Sequence, residues 1–372
     1  MRITHIGTSD VPVLHRYGGA LGRRIIEMAR LQAAAGHEVR VLTPAVRDGV
    51  EVVDGVEVHS MRLRSRRPAR DFEFLARARR WAHGRRAGGV LHAHGAPMAA
   101  TALRKQFAAA VHSVDYFAYR GTHLRWAHRC YESRLLAFDL HMAASAYCAA
   151  EFKRFYPRAA ARTRVLYNGV NRQQFRPDPG AAEHARQALG LPPGPLVVYL
   201  GRVCLQKGSD LLVPLARHLR EAAPDAVVVA AGPPERFTRR EPSALMTQLS
   251  DQGVRCLGAV DESLLPGLLG AAAVSVLPTR QAEMFGMAAL EALACGAPVV
   301  AADLGGIPEA VGPGALLFPP GDAAAFTRQV TRLLSEPDLA QRLALAAKQH
   351  VATLDWAAIV DRSMDHYREA LR

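Results

Sequence analysis

Cysteine is scarce, and its placement is uninformative for stapling. The five residues, Cys130, Cys148, Cys204, Cys256 and Cys295, stand singly, with no spacing that suggests a metal knot or redox pair. A disulfide framework is thereby excluded, and a reducing, cytoplasmic setting is expected. Long apolar runs are also missing: nothing approaches the roughly 20 residues a membrane-spanning helix needs. The opening Met1-Arg2-Ile3-Thr4-His5-Ile6-Gly7 reads as a first core strand rather than a secretory leader. Aromatic residues make up only 6% of the chain and no nucleic-acid-binding module is present, so nucleic acid is not an expected partner. No Asp-x-Asp pair occurs, so neither a bound metal nor any other cofactor is implied. Gly-x-Gly-x-x-Gly is absent too, which removes the dinucleotide fingerprint.

What remains is a chain of 372 residues, 49% apolar, with a formal charge of +13. That length suits two ordinary domains. Short apolar runs alternate with helical patterns throughout, the signature of parallel α/β sheets. Pro192-Pro193-Gly194-Pro195 punctuates the middle. The excess charge is mostly arginine and is densest from Arg62 to Arg86, where Phe74, Ala78 and Trp81 recur at helical spacing. The stripe predicts a helix docked on the core, with contact to an anionic membrane face as the alternative use of the same region.

The most informative stretch is Leu277 to Gly312. Ala271 to Leu277 reads as a buried strand, Pro278 and Thr279 as a loop, Phe285 to Ala294 as a helix stopped by Gly296 and Pro298, and Val299 to Ala302 as the next strand. Ligands gather where such a helix begins. Glu283 and Glu291 bracket it, eight residues and therefore about 12 Å apart along a helix axis. Paired glycosidase carboxylates sit about 5 to 9.5 Å apart, so these two are better spaced to hold the ends of one extended ligand. The amides of Met284, Phe285 and Gly286 are expected at the positive helix end, facing something anionic between those ends.

Glu283 to Glu291, with Phe285-Gly286 between them and Gly296-Ala297-Pro298-Val299-Val300 after, resembles the two-glutamate signature of retaining glycosyltransferase family 4. The resemblance extends over most of the chain and implies the GT-B fold, two doubly wound parallel-sheet (Rossmann-like) domains facing across a cleft. Residues 1–170 with 356–372 would form the acceptor-side domain, because in GT-B enzymes a terminal helix like that from Trp356 to Leu371 returns to the first domain. Residues 171–355 would bind the nucleotide-sugar. The implied activity is transfer of a hexosyl or N-acetylhexosaminyl group from a nucleoside diphosphate-sugar, UDP-linked in this reading, to an acceptor hydroxyl. A small aminocyclitol or antibiotic intermediate fits the general likeness. A sugar-nucleotide 2-epimerase of the same fold, or a non-catalytic protein binding sugar-nucleotides or membrane surfaces, stays open as an alternative.

The same resemblance distributes the roles. Gly201-Arg202 after one strand and Lys207-Gly208 before a helix match the pair that holds the donor diphosphate, and two cations across one loop can clasp it from two sides. Glu291 would take the ribose hydroxyls and Glu283 the hexose, with Met284, Phe285 and Gly286 along the donor. The segment holding Cys256 and Leu257 reads the base through its backbone. Gly18 and Gly19 border the phosphates and the acceptor, and His112, after a strand, contacts the donor sugar near the reacting centre. Tyr17, Asp115 and Tyr116 are candidates for the acceptor. Val90 to Gly95 is a further strand end, and its two histidines, His92 and His94, are expected on opposite faces rather than as a chelating pair.

Overall fold

Runs of four to eight residues rich in Val, Ala and Leu become the strands of two sheets, because residues buried on both faces need no polar alternation. In this computed structural model the chain is described except for residues 11, 14–18, 67–68, 84–87, 96–101, 115–124 and 235–240, and only the backbone of 19–20, 125–128 and 241–243 is described. Two units result, Met1–Gly169 with Trp356–Arg372, and Val170–Asp355.

The first unit holds β1 (Arg2–Ile6), β2 (Glu38–Ala45), β3 (Gly49–Val53), β4 (Val56–Arg62), β5 (Val90–His94), β6 (Ala109–Ser113), β7 (Leu140–Ala143) and β8 (Thr163–Val165). Their order is β3-β4-β2-β1-β5-β6-β7-β8. Only β3 runs antiparallel, joined to β4 by Asp54-Gly55, both at positive φ (49° and 78°) as a two-residue hairpin turn demands. The chain winds outward from β1 to β4 and then returns to place β5 on the other side of β1. That reversal is the topological switch point.

The second unit repeats the plan with β9 (Leu196–Leu200), β10 (Val227–Ala231), β11 (Arg255–Gly258), β12 (Ala272–Leu277), β13 (Val299–Ala302) and β14 (Ala315–Phe318), ordered β11-β10-β9-β12-β13-β14 and parallel throughout. Its switch point lies between β9 and β12. Val197, Tyr199, Val228, Ala230, Val274 and Val276 share one sheet face and pack with Leu212, Leu215 and Leu219 of the Leu212–Ala222 helix and with Phe326 and Val330 of the Ala323–Ser335 helix. Each such leucine or phenylalanine contributes about 1.5 to 3 kcal/mol by leaving water. The sheet ends are therefore a rigid base for the loops beyond them.

The basic helix spans Ala69–His83 and docks as its stripe requires: Phe74 and Ala78 are buried in the first unit's core, with Trp81 packed against it. Phe72 points outward, 60% exposed, with Arg79 and Arg80 also on the surface. The last helix, Trp356–Ala370, buries Trp356, Ile359, Val360, Met364 and Tyr367 within the first unit, against the Gly19–Ala34 helix and β6. None of the described helices is long and apolar enough to cross a membrane.

Two expectations need correcting. His92 and His94 lie on the same face of β5, their rings stacked with centroids 4.0 Å apart, because residues two apart in a strand point the same way. The helix expected from Phe285 instead spans Met287–Ala294, with Gly286 as its N-cap at φ 111°. That left-handed backbone cannot continue a right-handed helix, so it sets the boundary.

Candidate functional site

At the switch point of the second unit, the loops leaving β9, β12 and β13 are tied together largely by main-chain hydrogen bonds. The first begins at Tyr199, fully buried in β9, whose hydroxyl donates to the Arg202 carbonyl at 2.5 Å. Burial pushes that phenol well above its ordinary pKa, so it remains a donor. A short turn, Leu205–Lys207, follows. The Gln206 carbonyl accepts from the Arg280 and Gln281 amides at 3.0 and 3.2 Å and from the Thr279 hydroxyl at 3.1 Å. Thr279 is fully buried, and Arg280 adds a two-pronged contact to Asp210 at 2.6 and 3.2 Å. The post-β9 and post-β12 loops are thus held together.

Gly208 makes this closeness possible. It sits at φ 68°, and a Cβ there would lie 1.8 Å from the Pro278 carbonyl oxygen. Only glycine tolerates both the left-handed backbone and that approach. The loop after β13 joins through Glu283, which bridges to Gly305 and whose carbonyl accepts from the Gly306 amide at 2.8 Å.

On this frame Lys207 Nζ meets Glu283 Oε1 at 2.9 Å, their side chains 27% and 17% exposed. Such a half-open ion pair is worth about 1 kcal/mol at most, so its partners can be exchanged for others at little cost. Arg202, at the carboxyl end of β9, is exposed. Glu291 lies within the Met287–Ala294 helix and is buried to 1%. Burial, and next the nearby Glu291 charge, push the Cys295 thiol up to about 12. Because Glu283 lies in the loop before the helix, the 12 Å helical rise does not separate the two glutamates. The amides of Met284, Phe285 and Gly286 likewise precede the helix. Its first-turn donors are Met287 and Ala288, since the Ala289 amide already bonds the Gly286 carbonyl at 3.1 Å. Phe285 is buried at 2%. Cys256 and Leu257 lie half-buried on β11, the outer strand of this sheet.

In the first unit, Gly19 opens the Gly19–Ala34 helix, whereas Tyr17, Gly18, Asp115 and Tyr116 lie outside the described residues. His112 sits in β6, 1% exposed, with its Nδ1 3.3 Å from His141 Nδ1 and its ring 5.0 Å from Phe138. Burial holds it neutral, well below its usual pKa. His5, His92 and His94 form a further buried group whose ring nitrogens lie within 4.8 Å of one another. Both nitrogens of His5 and of His92 already have hydrogen-bond partners, and the His92 and His94 rings are stacked, so in this structure the group is a hydrogen-bonded stack. The sequence reading missed it, along with Gln206, Asp210, Thr279 and Arg280.

Comparison with known proteins agrees with this architecture. Residues 17–174 match the family described as Glycosyltransferase Family 4, and residues 182–350 match Glycosyl transferases group 1. The sucrose-phosphate synthase structure from Thermosynechococcus elongatus superposes with a TM-score of 0.80 at 24% identity, covering 99% of this chain and 98% of that one. Anabaena HepE, solved in complex with UDP and glucose, gives 0.79 at 19% identity, covering 98% of each chain. Among curated sequences, the D-inositol 3-phosphate glycosyltransferase of Streptomyces bingchenggensis is 34% identical over 235 residues, 60% of this chain and 51% of that protein. The chain spans about half the length of the curated relatives it matches. Two doubly wound units of this kind define the GT-B class of proteins. Within that class, the chain belongs to glycosyltransferase family 4.

Proposed function

We propose that the protein is a retaining hexosyltransferase, moving a hexosyl or N-acetylhexosaminyl group from a UDP-linked donor to an acceptor hydroxyl. The observation that carries this reading is the Lys207–Glu283 contact at 2.9 Å, held by three stitched loops at a switch point. An anion stabiliser and a hydroxyl acceptor there stand side by side, as a sugar-diphosphate requires. The second unit takes the donor and the first the acceptor. Lys207 and Arg202 bind the diphosphate, Glu283 the hexose, Glu291 the ribose, and the backbone at Cys256 and Leu257 the base. Met284, Phe285 and Gly286 run along the donor. Gly18, Gly19 and His112 complete the donor side, and Tyr17, Asp115 and Tyr116 meet the acceptor.

The chemistry is leaving-group stabilisation. As the bond from the anomeric carbon to the phosphate oxygen breaks, negative charge grows on the diphosphate, and preorganised cations lower the barrier most where charge develops. The new bond to the acceptor oxygen forms on the same face, and the acceptor's proton passes to the departing phosphate. The name of the Streptomyces relative and the UDP bound to HepE support a cyclitol-type acceptor and a uridine donor. Phe72, exposed beside Arg79 and Arg80, is where contact with an anionic membrane surface would occur.

The test is incubation of purified protein with a panel of UDP-hexoses, with and without cyclitol acceptors, followed by NMR. Glycoside of unchanged anomeric configuration, formed only with acceptor, is the expected result. Conversion of donor alone into its 2-epimer would overturn the reading.

A further inference from the structure

Arg24 projects from the Gly19–Ala34 helix into the interior of the first unit and is 5% exposed. Its Nη1 donates to Asn168 Oδ1 at 2.5 Å, while Nε and Nη2, both buried, have no hydrogen-bond partner among the described residues. The groups that act on its charge include the Tyr367 phenol and the Cys148 thiol, and no carboxylate pairs with it among the described residues. Burial lowers its pKa to about 10, which still leaves it fully charged at neutral pH. An arginine in this state is expensive: a buried cation without a counter-charge costs several kcal/mol.

The neighbouring imidazoles do not supply the missing charge, but they do supply an acceptor. Gln32 Nε2 lies 3.4 Å from both Ser363 Oγ and Tyr367 OH, so its Oε1 accepts from His5 Nε2 at 2.8 Å. His5 Nδ1 is then the lone pair that accepts from His94 Nε2 at 2.9 Å. This assignment of tautomers leaves His94 Nδ1 as a bare lone pair, and it too is buried with no hydrogen-bond partner among the described residues. Burial keeps His94 neutral, and the Arg24 charge acts on it. The interior of the first unit therefore holds two unused guanidinium N–H donors and one unused imidazole acceptor.

We propose that Arg24 and His94 form an oxyanion-binding subsite, taking a phosphate or carboxylate group on the guanidinium and an adjoining O–H on His94 Nδ1. A guanidinium fork matches the two oxygens of such a group, and a monoprotonated phosphate or a neighbouring hydroxyl provides the O–H. Nothing in this assignment depends on glycosyl transfer, and neither Arg24 nor His94 is among the residues assigned to donor or acceptor above.

The experiment is titration of the full chain with inorganic phosphate at constant ionic strength, with sodium chloride and sodium acetate as parallel arms, for wild type, Arg24→Met and Arg24→Lys. Phosphate should raise the wild-type Tm and bind Arg24→Met roughly ten- to a hundredfold more weakly, the span expected for losing hydrogen bonds to a charged group. Arg24→Lys should fall between, having the charge without the fork. Ligand-free Arg24→Met should melt no lower than wild type, because it loses an uncompensated buried cation. A lower melting temperature for Arg24→Met, or phosphate binding indifferent to Arg24, would overturn the subsite. Acetate binding that also depends on Arg24 would mark the ligand as any oxyanion, and dependence in the phosphate arm alone would mark it as a phosphate. A parallel UDP titration separates the two readings: unaltered UDP affinity in Arg24→Met leaves the donor site intact whatever phosphate does.

Discussion

Glu283 does two jobs through different atoms: its carbonyl anchors the loop after β13, and its carboxylate holds Lys207. A Glu283→Gln variant keeps the backbone bonds and loses only the charge. Transfer should fall by about a hundred- to a thousandfold, the usual cost of removing one preorganised polar group from a transition state. Because the ion pair is partly solvated, Tm should move little. Steady-state rates beside a melting curve check both halves. His5 and His141 make a separate statement about pH. Burial drives each down to about 4 from an ordinary 6.5. The unfolded chain therefore binds protons that the folded chain refuses, and stability present above pH 6.5 should be lost as pH falls toward 4. Melting temperatures across that window should decline, and less steeply in His141→Asn; a flat profile would show the burial of these rings to be relieved on protonation.

Among the elements, the post-β9 loop is the sensitive one. Gly208→Ala sets a Cβ against the Pro278 carbonyl and forces a left-handed alanine. It should cost more than about 1 kcal/mol in stability and weaken nucleotide binding, since Lys207 shifts with the turn. Wild-type melting and UDP affinity in the variant would contradict that role. The same loops show what a sequence can convey. Val197 to Leu200, Ala272 to Leu277 and Val299 to Ala302 are legible as strands because apolar runs have no other use at that length. The Asp54-Gly55 hairpin carried its own signal, a tight turn between alternating valines, and went unread. The run of helix formers from Phe285 to Ala294 is interrupted only by a single glycine, which a helix tolerates. The pattern therefore extends the helix two residues too far, and only the φ of Gly286 reveals the boundary. Pairs such as Gln206 with Arg280 have no local signal at all: they follow from strand order, which periodicity does not specify.

For the whole molecule, the GT-B class was legible through the resemblance of the Glu283 to Glu291 motif and of the Arg202 and Lys207 loop to family 4, with which the alternation of strands and helices agrees. The buried polar interior of the first unit was not, because Arg24, Gln32, His5, His94 and Tyr367 are gathered from the first helix, two strands and the last helix, far apart in sequence. Nor does the charge of +13 locate a site by itself. Its arginines include members of exposed ion pairs such as Arg77 with Asp48 and Arg368 with Asp365, which contribute little. The account rests instead on one junction beyond the carboxyl ends of β9 and β12 in the second unit. Isothermal titration of UDP onto wild type and Lys207→Ala tests it most directly. Binding to wild type, weakened at least roughly tenfold in the variant by loss of one charge-assisted contact, is expected. Equal affinity for the two proteins would place the diphosphate elsewhere and contradict the account.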